Sequence, residues 1–433
     1  MAGFEAPVFS TRSAEISIKM MEDYYARGWE HAAKGGDVAW CPRGVHTEIL
    51  DVMGVYSANP ENYGAVCALQ GEMRFVQRAE ARGFSTDICS YYRGALGFAD
   101  EMSRLGGPPP NAPLGGMPRP NMLISSSCRC DPKMKGSEVL QRYFDVPLYT
   151  YEHLCPPVSD PDCIDRAALQ HYIDYNLQGV KGLIAFLERQ TNRKLDMEKL
   201  AQSVRNSVET WHLLDEIYEL RKSVPCPMPS HDLLKTIQPW MWMSGQEQCL
   251  DFYRGLRDEL QERVRNGVGV IEDEEYRIFW LGTPLPFDLA LYNYLQDRGA
   301  VCVTELGYYA SKPVPVDLSD PLRALVERWF WGIDLFGSDG TELVCNTMGG
   351  NLVSQWIKDY RIDGVITFAI RDCRIASTGH KHWMRTIREN TDLPVMLIEG
   401  TIADSRAYSP DKTRADIDIF LDMVASRKKR SAG

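Results

Sequence analysis

The sequence predicts an α/β protein with two doubly wound parallel-sheet domains, an N-terminal helical arm and a helical middle segment. Short apolar runs of strand length alternate with amphipathic helical patterns in two separate parts of the chain, and such alternation is typical of a parallel sheet. The length of 433 residues also exceeds one ordinary core. We expect an arm at 1–35, a first α/β domain at 36–160, a helical segment at 161–272 and a second α/β domain at 273–433.

Hydrophobic periodicity predicts the elements of the arm and the first domain. Apolar residues between about 8 and 35 recur at helical spacing, as expected for a helix that packs on the rest of the protein. Apolar runs with turn residues at their ends then indicate strands. In order, the first domain is expected to contain a strand at 38–40, helices at 46–53 and 65–81, a buried strand at 121–126, a helix at 133–144 and a strand at 146–149.

The pattern changes to long amphipathic helices without strand signals from 166 to about 266. The second domain returns to alternation, and the two α/β domains look alike in architecture although no internal sequence repeat is visible. Its expected elements are strands at 277–282, 300–303, 364–370 and 395–398, and helices at 287–296, 351–360 and 383–389.

Composition and charge exclude several classes of function. A formal charge of −11 argues against a nucleic-acid surface, which relies on clustered Lys and Arg. The first 25 residues lack the basic start and apolar core of a signal peptide, and no apolar run approaches the roughly 18 residues that span a bilayer. We expect a cytoplasmic protein that binds neither nucleic acid nor membrane.

Nucleotide-binding motifs are absent from the sequence. It contains no GxxxxGK[ST] and no strand followed by GxGxxG, so we expect no ATP or dinucleotide to be bound by this chain. The pair Gly349 and Gly350, just before a predicted helix, is a candidate cradle for a phosphate through backbone N–H groups. A simple tight turn is the alternative interpretation.

Three cysteines are placed as metal ligands would be. Cys373 follows the buried strand pattern at 364–370, Cys130 follows the apolar run at 121–125 within a few residues, and Cys89 closes the run at 83–88. In open α/β sheets ligands gather beyond the carboxyl ends of the strands. Since no CxxC pair occurs among the twelve cysteines, a metal cluster here must be assembled from distant loops.

Cys128 is an alternative to Cys130. Both thiols need not be ligands, so we expect one ligand from the pair and favour Cys130. The other cysteines are interpreted from their local patterns. We expect Cys67, Cys249, Cys302 and Cys345 in the core, Cys41 in a structural role, and Cys155, Cys163 and Cys226 exposed in Pro-rich connections.

Polar residues beside the candidate ligands are candidates for supporting roles. Ser90, Arg93 and Arg374 flank the cysteines, where an Arg would hold negative charge and raise the potential of a cluster. His380 is a candidate proton donor near Cys373, with an ordinary surface histidine as the alternative. A zinc site at His380-Lys381-His382 is disfavoured, because the spacing separates the two imidazoles.

A series of short motifs runs in a fixed order along the chain. They are Pro60-Glu61-Asn62-Tyr63, Asp87-Ile88-Cys89-Ser90-Tyr91, Cys130-Asp131 with Lys133 and Lys135, Asp363-Gly364-Val365 leading to Cys373, Leu393-Pro394-Val395-Met396-Leu397-Ile398-Glu399, Asp404-Ser405-Arg406-Ala407-Tyr408-Ser409 and Arg414. With these motifs in this order, the chain resembles the benzoyl-CoA reductase and 2-hydroxyacyl-CoA dehydratase family of iron–sulfur subunits, from about residue 36 to 425. The Pro-Glu-Asn and Cys-Ser-Tyr patterns are typical of the larger, benzoyl-CoA reductase B-type subunit.

The resemblance implies a specific assembly and chemistry. It implies a [4Fe-4S] cluster held by Cys89, Cys130 and Cys373 with one open iron position, and a heterodimer with a homologous iron–sulfur subunit. It also implies a separate ATP-hydrolysing activator that donates electrons, and an acyl-CoA substrate. The sequence departs from the family in the extra thiol of Cys128, and in Gly400 where many members carry an acidic residue after the Glu.

Several activities are compatible with this resemblance. Reduction of the ring of benzoyl-CoA is favoured, and dehydration of an (R)-2-hydroxyacyl-CoA is the first alternative. A homodimeric reductase of small molecules with a double-cubane [8Fe-9S] cluster is the second, and it would use more of the cysteines. A subunit that only relays electrons and a metal-free scaffold are the interpretations outside catalysis.

Overall fold

The computed structural model describes residues 4–127, 130–154, 165–307, 312–332 and 347–432. It contains two four-stranded parallel sheets, which confirms the predicted fold class. The strands are β1 (Asp37–Trp40), β2 (Val55–Ala58), β3 (Met122–Ser126), β4 (Leu148–Tyr151), β5 (Tyr276–Leu281), β6 (Ala300–Glu305), β7 (Gly364–Ile370) and β8 (Val395–Gly400).

Both sheets have the same strand order. The first runs β2-β1-β3-β4 and the second runs β6-β5-β7-β8, so the two are equivalent strand for strand. In each sheet the second strand in sequence pairs on one side of the first strand, and the third strand pairs on the opposite side of it. The gap between β1 and β3, and that between β5 and β7, is therefore the place where an open α/β sheet binds its ligands.

Helices cover the sheets and fill the segment between them. No helix in the described ranges is long and apolar enough to cross a membrane. The helices are α1 (Arg12–Ala33), α2 (Thr47–Val52), α3 (Pro60–Leu69), α4 (Arg74–Ala81), α5 (Ser90–Leu105), α6 (Asp131–Phe144), α7 (Arg166–Thr191), α8 (Met197–Leu220), α9 (Ser230–Thr236), α10 (Gln238–Met243), α11 (Glu247–Arg265), α12 (Ala290–Gln296), α13 (Pro321–Gly332), α14 (Thr347–Asp359), α15 (Arg374–Ser377), α16 (His380–Asn390) and α17 (Pro410–Ala432).

The N-terminal helix is attached to the helical segment by two carboxylates. The backbone N–H of Thr11 donates to Asp232 at 2.7 Å, and those of Arg12 and Ser13 donate to Glu259 at 2.7 and 3.0 Å. The first N–H groups of a helix have no partner within the helix, and negative charge is favourable there. Side chains distant in sequence thus cap α1 and fix the arm against α9 and α11.

Two local predictions of secondary structure are wrong. The single helix expected at 65–81 is two helices, α3 and α4, because Gly71 has a φ of +67° and ends the first of them. The strand β2 was not expected, since its four residues Val-Tyr-Ser-Ala carry little strand signal. It forms because it pairs along its whole length with β1.

Most of the described cysteines are core residues. Cys41, Cys67, Cys249 and Cys302 are buried, as expected. Cys226 is buried too, contrary to its expected exposure, and its thiol donates to the backbone oxygen of Met228 at 3.2 Å. The predictions for Cys155, Cys163 and Cys345 lie outside the described residues.

A buried ion pair joins the helical segment to the second sheet. Arg221 Nη1 and Nη2 donate to the two carboxylate oxygens of Glu305, at 3.0 and 2.7 Å, and both side chains are almost fully buried. Arg221 also donates to the backbone oxygen of Met228. A bidentate pair of this kind fixes geometry as well as charge.

Replacing Glu305→Gln should lower the free energy of unfolding by about 3–5 kcal/mol, because it leaves the Arg221 charge buried and uncompensated. Urea denaturation measures the change. The matched control is Glu209→Gln, which removes the exposed partner of Arg254 and should leave the stability unchanged within error. Equal effects of the two substitutions would contradict this account of the buried pair.

Candidate functional site

All three candidate ligands lie at the starts of helices. Cys89 is the N-cap residue of α5, Cys130 that of α6 and Cys373 that of α15. Cys130 and Cys373 follow β3 and β7, which occupy equivalent places in the two sheets, whereas Cys89 follows a turn rather than a strand. Partial positive charge at a helix N-terminus favours a thiolate.

The three cysteines line one cavity of about 130 Å³. Its wall also contains Arg43 and Thr283, which follow β1 and β5. The cavity therefore lies where the carboxyl ends of the central strands of both sheets face each other. The tendency of open α/β sheets to bind ligands beyond the carboxyl ends of their strands predicted this location for each sheet separately. The structure brings the two locations together.

The helical segment closes the cavity from a third side. Gln238, Met241 and Trp242 of α10 line it, together with Tyr91 and Ile375. Most of these side chains are apolar or aromatic, which limits the access of water to the thiols. Sequence reasoning missed the contribution of α10, because its apolar pattern indicated only core packing.

A buried lysine lies in the cavity wall near the thiols. Lys133 Nζ donates to the backbone oxygen of Arg43 at 3.2 Å and pairs with Glu61 at 3.4 Å. All three residues line the cavity. The wall thus combines two cationic side chains with one carboxylate, a charge balance that favours a negatively charged occupant.

The thiols are electrostatically coupled. Burial raises the pKa of the Cys89 thiol well above its usual range, and Asp372, Cys373 and Cys130 add to this effect. Burial likewise raises the pKa of Cys373 to about 12. Thiols with such raised pKa values are protonated at pH 7, and coordination to a metal is what would deprotonate them.

The carboxylate of Asp372 connects the two domains beside the cysteines. The backbone N–H of Ser90 donates to its Oδ2 at 2.8 Å, and that of Ile402 donates to its Oδ1 at 2.9 Å. Ser90 Oγ in turn accepts from the backbone N–H of Ala403 at 2.9 Å. Because Ser90 follows Cys89 and Asp372 precedes Cys373, this network sets the distance between two of the three thiols.

A second contact connects the other pair of cysteine loops. Arg374, which follows Cys373, pairs with Asp131, which follows Cys130. Both side chains are largely exposed, so water screens this pair. Of the two contacts, the buried one at Asp372 dominates the positioning.

Arg93 lies behind the cysteines and does not line the cavity. It is almost fully buried and is surrounded by three carboxylates, those of Glu80, Asp404 and Asp372. Its Nε donates to the backbone oxygen of Ile88 at 2.8 Å. Arg93 therefore supports the Cys89 loop and the Asp372 carboxylate, and its charge is neutralised locally.

His380 is buried, and so its interpretation as a surface residue is wrong. Its Nδ1 is 2.9 Å from Thr367 Oγ1, and its ring packs edge-on against Trp383. Burial lowers the pKa of His380 to about 4, so the imidazole is neutral at pH 7. It does not line the cysteine cavity, and its suggested role as a proton donor stays a prediction.

The remaining site predictions are placed as follows. Gly349 and Gly350 lie inside the first turns of α14 rather than before a helix, because α14 begins at Thr347. The expected turn at that position is therefore wrong. Cys128, the alternative ligand, lies outside the described residues.

The three cysteines are not arranged as the ligands of a single metal ion. Within the described ranges, no three His, Cys, Asp or Glu side chains are arranged to ligate one metal ion. Thiolates that bind different irons of one cluster are spaced more widely than the ligands of one ion. Soft thiolate ligands are the kind that iron–sulfur clusters use, so three thiols around one cavity fit such a group.

Comparison with known protein families assigns the chain to one of them. The protein-family model described as 2-hydroxyglutaryl-CoA dehydratase, D-component, matches residues 43–424, which include all three cysteines and both sheets except β1. The chain belongs to this family. The resemblance inferred from the sequence motifs is thereby confirmed.

The relatives of this D-component family member are subunits of acyl-CoA enzymes. It is 24% identical to the (R)-2-hydroxyisocaproyl-CoA dehydratase alpha subunit of Clostridioides difficile, with 98% of each chain covered. It is 26% identical to the B subunit of benzoyl-CoA reductase from Thauera aromatica, with 83% of each covered. The (R)-phenyllactyl-CoA dehydratase alpha subunit of Clostridium sporogenes is 23% identical over 97% of this chain and 99% of that relative.

Replacing Asp372→Ala should lower the free energy of unfolding by about 3 kcal/mol or more, because it removes two hydrogen bonds to a buried carboxylate. Chemical denaturation measures the loss. Arg374→Ala serves as the control, since it removes only the exposed contact between the same loops and should leave the stability unchanged within error. A larger loss for Arg374→Ala than for Asp372→Ala would reverse the ranking of the two contacts.

Proposed function

We propose that this chain is the iron–sulfur subunit of an enzyme that reduces or dehydrates an acyl-CoA, with Cys89, Cys130 and Cys373 as the ligands of a [4Fe-4S] cluster. One observation carries the proposal: three thiols from both α/β domains line a single cavity at the carboxyl ends of both sheets. The family membership of the chain supports the substrate class.

The residues around the cavity suit this role. A [4Fe-4S] cluster with one iron free of protein ligands supplies single electrons and a Lewis-acidic position for a carbonyl oxygen. The chain itself would orient the thiolates through the helix N-termini and the Asp372 carboxylate. Trp242 and Met241 would exclude water, and Lys133 and Arg43 would balance the negative charge of the occupied site.

Two reactions are candidates. Reduction of an aromatic ring, of the benzoyl-CoA type, adds two electrons and two protons and is supported by the benzoyl-CoA reductase relative. Dehydration of an (R)-2-hydroxyacyl-CoA releases water with no net change in electrons, and is supported by relatives that align along almost the whole chain. Both begin with the transfer of an electron to a thioester.

The proposal includes partners. The relatives are named as alpha or B subunits, which supports a complex with a second subunit, and we propose that this partner is a homologous iron–sulfur subunit. The sequence contains neither GxxxxGK[ST] nor a strand followed by GxGxxG, and we propose that a separate ATP-hydrolysing activator supplies low-potential electrons. We place the complex in the cytoplasm.

Replacing Cys89→Ser, Cys130→Ser or Cys373→Ser should each remove the cluster and leave the fold intact, because these thiols line a cavity rather than fill the core. Iron analysis and visible absorbance after anaerobic purification measure the loss, and circular dichroism reports the fold. The control is Cys302→Ser, in the buried strand β6, which should keep its iron.

Iron stoichiometry separates the alternatives in the same samples. About four irons per chain agrees with one [4Fe-4S] cluster, whereas about eight indicates the double-cubane [8Fe-9S] reductase and none indicates a scaffold. Full iron content in a Cys130→Ser variant would move that ligand to Cys128. Full iron content in either of the other two variants would overturn the assignment of that residue.

The reaction is tested with the anaerobic complex, its activator and ATP. Benzoyl-CoA should give a ring-reduced product, and a 2-hydroxyacyl-CoA should give an enoyl-CoA if dehydration is the correct reaction. Mass spectrometry distinguishes a gain of two hydrogens from a loss of water. The free acids should not react, because they lack the thioester. Reduction of a small inorganic substrate with no turnover of any CoA ester would instead support the double-cubane hypothesis.

A further inference from the structure

A second, larger chamber adjoins the cysteine cavity. Its volume is about 320 Å³, within the range of small-molecule sites. Asn62, Ala65, Tyr91 and Gln238 line both cavities, so the chamber begins where the cysteine cavity ends. The chamber lies between the N-terminal helix α1, helix α3 and helix α9.

The chamber wall is mainly apolar. Its largest side chains are aliphatic or aromatic and come from elements distant in sequence. Such a wall suits a hydrocarbon chain or ring that leaves water. Phe9, Ile18, Met21, Leu234 and Pro286 are among the apolar lining residues.

One cation lies in this apolar wall. Lys235 Nζ is 5.9 Å from the centroid of the Phe9 ring, and within the described part of the chain no hydrogen bond or ion pair to this ammonium group is found. Burial lowers the pKa of Lys235 to about 8. Glu22 is the acidic residue among the lining side chains, but it is half-exposed and lies 3.8 Å from Lys19.

We propose that this chamber receives the far end of the acyl group and that Lys235 binds a carboxylate carried there. The preferred substrate is then the CoA monoester of a dicarboxylic acid, either aliphatic or aromatic. This inference rests on the proposed function, because it takes the thioester to lie in the cysteine cavity. Among the described lining residues no side chain compensates the ammonium, and an apolar chamber with one cation matches an apolar chain with one anionic end.

A phosphate of CoA is the other possible anion. The phosphates of CoA carry several charges and are strongly hydrated, so a site for them needs several donors. Among the described lining residues Lys235 is the one cation, and the other donors, such as Asn62 and Gln238, are neutral. A single carboxylate is therefore the better match.

Binding is measured by calorimetry with the purified complex in the absence of the activator and ATP, so that no ester is consumed. The ligands are CoA monoesters of straight-chain dicarboxylic acids of four to six carbons, each paired with the monocarboxylic acyl-CoA of equal length. An aromatic pair carries a para carboxyl or a para methyl group. The complex should bind the best-fitting carboxylated ester at least about tenfold more tightly than its methyl-ended partner.

Substitutions at Lys235 test whether its charge causes the preference for the carboxylated ester. Lys235→Met keeps the apolar stem and removes the charge, so it should abolish the preference without weakening the methyl-ended ester. Lys235→Arg should retain it. The matched control is Lys19→Met on the exposed face of α1, which should change nothing.

The pH dependence gives an independent readout. The preference requires the protonated ammonium and should therefore be lost as pH rises through the pKa of Lys235, which a bound carboxylate moves above 8. Glu22 and Tyr91 in the chamber wall and His231 and Asp232 on α9 are the other titratable groups nearby, and Lys235→Arg leaves all four in place. In Lys235→Arg the preference should persist, because a guanidinium stays protonated.

Three outcomes would overturn the inference. Equal affinity of the unmodified complex for both members of every pair would show that the chamber does not bind a carboxylate. An equal loss of affinity of Lys235→Met for free CoA and for all esters would assign the lysine to a CoA phosphate. In both cases the proposed function stands, because CoA esters still bind. Failure of every CoA ester to bind would contradict the proposed function as well as this inference.

Discussion

The arrangement of the site depends on one buried carboxylate. Asp372 accepts hydrogen bonds from Ser90, at the start of a helix of the first domain, and from Ile402, in a loop of the second. Each of its oxygens is used, and the positive charge of Arg93 lies 3.7 Å away. Because a cysteine neighbours Asp372 and another neighbours Ser90, a small movement between the domains would change the separation of the thiols. The separation of these two thiols thus depends on one contact between the domains.

The equivalence of the two sheets explains why the cavity is where it is. A sheet with this strand order binds ligands beyond the carboxyl ends of its two central strands. In this structure the two such places face each other. Arg43 and Cys130 come from the first sheet, and Thr283 and Cys373 come from corresponding places in the second. A site shared by two halves offers more loops, and hence more ligands, than either half alone.

The sequence predicted the fold class and the three cysteines, and it did not predict what surrounds them. Strand ends such as those before Cys130 and Cys373 are visible as apolar runs, so local pattern located the thiols. The role of Asp372 depends on a partner 282 positions away, and no local pattern reveals such a pairing. For the same reason α10 looked like ordinary core, and His380 looked exposed because its burial comes from the packing of α16 against β7.

The order of the ligands along the chain constrains how the protein is made. Cys89 and Cys130 leave the ribosome with the first domain, but Cys373 emerges only after the helical segment and most of the second. Until then the thiols of Cys89 and Cys130 lack the third cysteine, and the Cys89 loop lacks its contact with Asp372. The proposed cluster would therefore enter late, after translation, once the loops of both domains have come together.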